Sequence, residues 1–192
     1  SVGTSSVSLP EANAGKAAPL GSVTAHVSGL VAEETDVDAT TSVTPTIDGL
    51  AAGGVAFTAA TATAPWTQPS IGSLLTGRMP SAHGALQLFD VLSPGPQYLP
   101  SFLKARGFAT GLVVSHVLLT RRFGWATGFD TVDESAVGSH DSVSSGKVTD
   151  AAIAFVKASA RKRFFLLAHY FDPHYVYNHH PAHDQTAWYR GT

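Results

Sequence analysis

Thr44-Pro45-Thr46-Ile47-Asp48-Gly49-Leu50, running on to Ala64-Pro65-Trp66-Thr67-Gln68-Pro69-Ser70-Ile71-Gly72-Ser73-Leu74-Leu75-Thr76-Gly77-Arg78, is the part of the chain whose reading decides the fold. Pro45 suits the first position of a helix, because the N–H it lacks is one that a helix start leaves unpaired, and Asp48 complements the positive end of the helix dipole. Gly53-Gly54 stops this helix after Ala52, and Val55-Ala56-Phe57-Thr58 follows as a strand. Ser70 to Leu75 reads as a short helix ended by Gly77, which leaves the hydroxyl of Thr67 at its start. A helix start favours an anionic ligand, which makes the Thr67 end of this helix a candidate anion site.

Outward from this stretch, helical and extended signals alternate. Leu99, Phe102 and Leu103 mark one face of a helix ended by Gly107, and Thr110 to Val114 is apolar enough for a strand buried on both faces. A polar, glycine-bearing loop, Asp133 to Gly146, leads to a helix in which Val148, Ala152, Phe155 and Val156 recur at helical spacing. Arg161-Lys162-Arg163 suits the end of that helix, where cations complement the dipole. Phe164 to His169 is then a short apolar run with a polar end. The alternation implies an α/β domain with a largely parallel sheet flanked by helices.

Open sheets of this kind place ligands at the carboxyl ends of their strands. His169 ends one strand and Ser115-His116 another, so both join the Thr67 loop as candidates. Residues 1–43 are rich in Ser, Ala, Val, Gly and Thr and hold no aromatic residue. This segment is poorly specified: Val23 to Val27 with Leu30-Val31 would supply one strand, and a flexible tail is the alternative.

Composition narrows the function classes. A chain of 192 residues with 44% hydrophobic content can bury one substantial core. The formal net charge of −2 and the scattered Lys and Arg residues argue against nucleic-acid binding, which needs a basic stripe to displace phosphate counterions. The absence of cysteine removes disulfides, thiolate zinc sites and a cysteine nucleophile together. No apolar run reaches the roughly 20 residues that span a bilayer, and no signal peptide is expected in this stretch.

Several blocks in one order carry a resemblance. Thr44-Pro45-Thr46-Ile47-Asp48 with Gly54-Val55-Ala56-Phe57 comes first, then Pro69-Ser70 and Ser73-Leu74-Leu75-Thr76-Gly77-Arg78 with Pro80 and His83-Gly84. Gly107-Phe108-Ala109-Thr110 with Phe123-Gly124 and Gly128-Phe129-Asp130 follows, and Phe164-Phe165 with His169-Tyr170-Phe171-Asp172-Pro173-His174 closes the series. Over residues 44–192 the chain resembles the N-terminal portion of the sulfatase family of the alkaline phosphatase superfamily.

The resemblance implies hydrolysis of sulfate or phosphate esters at a metal-assisted nucleophile, with a small anionic ester as substrate and a divalent cation (calcium, magnesium, manganese or zinc) as cofactor. In sulfatases the nucleophile is a formylglycine made within Cys/Ser-x-Pro-x-Arg. Here Thr67 holds the first position and Ile71 the place of the Arg, so no formylglycine is expected. Related phosphohydrolases and phosphotransferases use Thr or Ser directly, which makes Thr67 a candidate nucleophile; helix capping is its bland alternative. His174 follows Asp172-Pro173 at the family's Pro-His segment and would contact the anionic oxygens or protonate a leaving oxygen. His169 and His116 are candidate substrate contacts, although Val114-Ser115-His116-Val117 replaces the family's usual Gly-Lys-Trp-His. Arg78 reads as a loop anchor and His83 as a turn or supporting residue.

The metal ligands are the gap. The family's first Asp pair lies some distance ahead of the Thr-Pro segment, and Asp36 and Asp38 stand too close to Thr44 to be it; the second half of the cage would lie beyond Thr192. Two readings result. One is a sulfatase-like hydrolase of sulfate, phosphate or phosphonate esters that lacks the C-terminal part of its domain and shows little turnover as this stretch alone. The other is a non-catalytic sulfatase-like fragment or anion-binding module without a working metal site.

Overall fold

A computed structural model describes residues 45–55, 60–140 and 142–174. The elements are helices α1 (Pro45–Ala52), α2 (Thr67–Thr76), α3 (Pro80–His83) and α4 (Leu99–Lys104), strand β1 (Ala109–Val114), strand β2 (Thr131–Asp133), helix α5 (Ser145–Ala158) and strand β3 (Phe164–His169). Two short 3-10 turns, Val117–Leu119 and Arg121–Phe123, follow β1. The sheet has the order β2-β1-β3 and both pairings are parallel, as the sequence implies.

β1 is the central strand, and its side chains alternate between two cores. Leu112 and Val114 pack with Ile71, Leu75, Leu119 and Trp125 on one face, while Val113 packs with Ala136 and Val148 on the other. β3 keeps the same alternation, with Phe165 and Leu167 against the first core and Leu166 and Ala168 against the second. Both faces being covered is why these strands read as continuous apolar runs. Gly111 makes room for α5: a Cβ there would stand 2.6 Å from the Phe155 ring. Truncating one of the large core side chains would cost about 2–5 kcal/mol.

Several boundaries differ from the sequence reading. α2 begins at Thr67, ahead of the expected Ser70, because Trp66 is extended (φ −151°, ψ 166°) and Pro69 falls in the first turn, where no N–H is needed. The helix ends as expected at Gly77, whose φ of 64° is left-handed and whose N–H bonds to the Ser73 carbonyl at 2.9 Å. β2 and the start of α5 lie inside or against the stretch read as loop. β2 has only three residues, too few for a periodic signal, and pairs through Gly111↔Thr131 to Val113↔Asp133. In α5, Val148 and Phe155 are buried as expected, whereas Val156 is exposed.

The Arg161-Lys162-Arg163 cluster does not end the helix. α5 stops at Ala158, and Arg163 instead donates to the Arg106 carbonyl at 2.9 Å and lies 4.5 Å from the Phe108 ring centroid, joining the starts of β3 and β1. The expected strand Val55 to Thr58 falls largely outside the described residues, as do residues 1–43, and Val55 itself is not in a strand. Among the described residues no helix is long and apolar enough to cross a membrane.

Candidate functional site

The pairing Val114↔His169 sets the C-terminal ends of β1 and β3 side by side. Ser115 locks this junction: its hydroxyl donates to the His169 carbonyl at 3.0 Å and accepts the Phe171 N–H at 3.0 Å. Beyond the junction the Phe171 ring is stacked with His116, 4.3 Å between centroids and 26° between planes, and with His174, 4.5 Å and 19°. His140 lies edge-on to Phe171 (5.1 Å, 71°) and to His116 (6.0 Å, 79°), and 5.9 Å from His174. His169 stands 6.4 Å from His116 and 6.5 Å from Phe171.

The three histidines singled out in the sequence, His116, His169 and His174, are thus brought together at the carboxyl end of the sheet. His140 joins them unannounced. It sits in a serine- and glycine-rich loop with no motif around it, and only the path from β2 to α5 carries it to the cluster.

Environment separates these imidazoles. Burial, with the nearby His140 and His174, pushes the pKa of His116 down to about 4. Burial, with His116 close by, does the same for His169, also to about 4. Both are therefore neutral at pH 7, and the buried Nδ1 of each has no hydrogen-bond partner among the described residues. Such nitrogens can bond a ligand without first giving up a protein contact. His174 is exposed, and its backbone N–H bonds to the Phe171 carbonyl at 2.8 Å.

Thr67 is half-buried and is the first residue of α2. The N-cap position belongs to Trp66, so Thr67 stands in the first turn rather than at the cap. The next residue, Gln68, is fully buried, and its Nε2 donates to the Asp90 and Leu118 carbonyls, each at 3.2 Å. Because Leu118 comes two residues after His116, Gln68 ties the start of α2 to the strand end that carries the cluster.

His83 supports the same helix from behind. Its Nδ1 accepts the Ala85 N–H at 3.3 Å, which leaves Nε2 to donate to the Pro69 carbonyl at 3.2 Å, with Ser73 Oγ also at 3.2 Å. Burial lowers its pKa, so this neutral form persists near pH 7. Arg78, read as a loop anchor, is exposed and makes no ion pair among the described residues; its guanidinium packs beside Gly95.

The cluster does not fit calcium or magnesium, two of the cations that the resemblance implies. Its members are imidazoles around a phenyl ring, without a carboxylate, whereas calcium and magnesium take several oxygen ligands. Among the described residues no group of three or more His, Asp or Glu side chains is placed to hold a metal ion.

No curated protein matches the chain. A solved structure, that of BT4656 in complex with its substrate D-glucosamine-2-N,6-O-disulfate, superposes with a TM-score of 0.59 at 22% identity. The match covers 69% of this chain and 30% of that one, so the present chain spans under a third of its length. At this identity the likeness is one of fold. The family model described as Sulfatase matches residues 32–190, which is most of the chain. With the parallel sheet and the ordered motif blocks in agreement, the chain belongs to the sulfatase family.

Proposed function

We propose that this chain is the N-terminal part of a hydrolase of sulfate, phosphate or phosphonate esters in which Thr67 is the nucleophile and His174, with His116 and His169, contacts the anionic oxygens. The observation that carries the proposal is the meeting of these three histidines at the carboxyl ends of β1 and β3, to which Gln68 tethers the start of α2. BT4656, a structural neighbour, takes a sulfated sugar, which supports an oxyanion-bearing substrate here.

In this reading Thr67 Oγ1 forms a bond to sulfur or phosphorus as its proton passes to water. The S–O or P–O bond to the organic group breaks, and His174 donates a proton to the leaving oxygen. Water then attacks the same centre, releasing the inorganic anion and restoring the Thr67 hydroxyl. His116 and His169, neutral at pH 7, act as N–H donors to the non-bridging oxygens rather than as cations. A divalent cation in this family would supply Lewis acidity at the nucleophile, and its ligands are not among the groups of side chains that the described residues bring together.

The test is turnover of aryl phosphate, phosphonate and sulfate esters by the full-length gene product with a divalent cation supplied. Thr67→Ala abolishes turnover on this reading, and unchanged turnover would overturn the nucleophile assignment. Retained anion binding by a full-length protein with no turnover on any ester would instead favour the anion-binding module.

A further inference from the structure

Cations that lie scattered along the sequence gather at the amino end of the sheet, opposite the histidine cluster. β1 and β3 start level with each other, Ala109 beside Phe164, and the chain enters them from the ends of α4 and α5. Arg106, Lys157, Arg161, Lys162 and Arg163 all fall at this end, and all five are exposed. Lys104 is paired there with Asp130 at 2.7 Å, but none of the five forms an ion pair among the described residues. The dipole of α5 accounts for Lys157 in its last turn; Arg106 and Arg163 stand ahead of strands, which carry little net dipole to complement. In a chain of formal net charge −2, this is a face of one sign.

Apolar side chains interleave with these charges. The Arg106 guanidinium lies 3.3 Å from the Phe102 ring centroid, and that of Arg163 lies 4.5 Å from the Phe108 centroid. Arg163 also donates to the Arg106 carbonyl at 2.9 Å, and Arg106 to the Phe102 carbonyl at 3.2 Å, so both charges are fixed on this face. Phe102, Phe164 and Val156 are 44%, 41% and 38% exposed around them. A soluble polyanion would meet the cations and leave these apolar side chains in water. Phe102 is also poorly placed to stack on a nucleic-acid base, because Arg106 already covers its ring. A bilayer interface uses both kinds of group: acidic headgroups meet the cations, and the acyl boundary takes the apolar side chains.

We propose that the amino end of the sheet is a contact face for an anionic lipid surface. The protein rests on the bilayer through Arg106, Lys157 and the Arg161-Lys162-Arg163 turn, with Phe102, Phe164 and Val156 entering the headgroup region. The register from Ala109↔Phe164 to Val114↔His169 spans the length of both strands. The histidine cluster therefore stands about 16 Å away at the opposite end of the sheet and faces away from the bilayer. The proposal does not depend on the reading of Thr67.

The experiment is co-sedimentation of the full-length gene product with vesicles of phosphatidylcholine alone and of phosphatidylcholine with phosphatidylserine. The protein binds the second kind and not the first, and high salt releases it. Arg161→Glu combined with Lys162→Glu, in an exposed turn outside both cores, lowers partitioning at least about tenfold, because each cation near an acidic surface adds to the attraction. Arg161→Lys combined with Lys162→Arg keeps the charge and retains binding. Phe102→Ala lowers partitioning severalfold, and Arg122→Glu, a charge reversal in the turns that follow the carboxyl end of β1, leaves it unchanged. No preference for the acidic vesicles, an unaffected double charge reversal, an unaffected Phe102→Ala variant, or a loss in Arg122→Glu as large as in the double variant would overturn the proposal. Binding to heparin or single-stranded DNA without binding to acidic vesicles would also overturn it, assigning the face to a soluble polyanion. Ester turnover is not read in this assay, and Thr67→Ala binds the vesicles as the wild type does, so failure here leaves the nucleophile assignment standing.

Discussion

Asp172 caps helix α5 through Ser144, a residue 28 positions earlier in the chain. Oδ1 accepts the Ser144 N–H at 2.9 Å and its hydroxyl at 2.5 Å, and Oδ2 accepts the N–H and hydroxyl of Ser145 at 2.9 and 2.6 Å. Ser144 occupies the N-cap position but makes no side-chain cap of its own, so the carboxylate satisfies the helix's unpaired donors and places negative charge at the positive dipole end. The same contact clamps the segment carrying Phe171 and His174 against α5.

Removing this carboxylate destabilises the fold and loosens the histidine cluster together. Asp172→Ala costs about 2 kcal/mol, at the upper end for a lost cap because the donors left behind are buried. Urea denaturation measures it; a change below about 0.5 kcal/mol, the range of an inert surface substitution, would refute the clamp.

Acid weakens the same contact at a defined pH. Burial alone would raise the Asp172 pKa, but the hydrogen bonds from Ser144 and Ser145 outweigh it and hold the pKa at about 2, below the ordinary 3.8. A depressed carboxylate stabilises the fold fully above its unfolded value and progressively less as pH falls toward its folded one. Stability measured from pH 4 to pH 2 therefore falls more steeply in the wild type than in Asp172→Asn.

The buried histidines act at higher pH. His116 and His169 have pKa values lowered from 6.5 to about 4, so between these values the unfolded chain binds protons that the folded one refuses. Stability is complete above pH 6.5 and is lost as pH falls toward 4, by at most about 3 kcal/mol for either residue. Thermal melts of the wild type and His116→Gln between pH 7 and 4 check this, the variant showing the shallower decline. Parallel curves would show that His116 is not held neutral.

Gly72 tests the support behind Thr67. Alanine in a helix interior normally gains about 1 kcal/mol over glycine. Here its Cβ would stand 2.6 Å from His83 Cε1, in a side chain that is itself buried and bonded to the Pro69 carbonyl. Overpacking of this kind costs about 1–3 kcal/mol, so the clash wins and Gly72→Ala destabilises. Chemical denaturation gives the sign directly, and a stabilised variant would show that His83 can yield.

Much of the scaffold was legible because its signals are local. Gly53-Gly54 and Gly77 punctuate the helices, whereas α4 ends at Lys104, ahead of the expected Gly107, and β1 and β3 read as apolar runs because both of their faces are covered. β2 leaves no signal in the sequence because three residues carry no period, and the start of α5 is not marked locally because its cap lies at Asp172, far along the chain. At the candidate site, His116 and His169 are marked by strand ends and His174 by its motif position, whereas nothing near His140 in sequence marks it.

The family, the parallel α/β scaffold and the lack of a Cys/Ser-x-Pro-x-Arg run are legible along the chain, since these depend on residue types at fixed local spacings. Which side chains meet depends on the packing of distant segments. The Phe171 stack with His116 and His174, the edge-on His140, and the join that Gln68 makes between Asp90 and Leu118 all bring together residues distant along the chain. The packing of β1 against β3 and of α5 over the sheet creates these contacts, and burial within them is what sets the charge of the imidazoles.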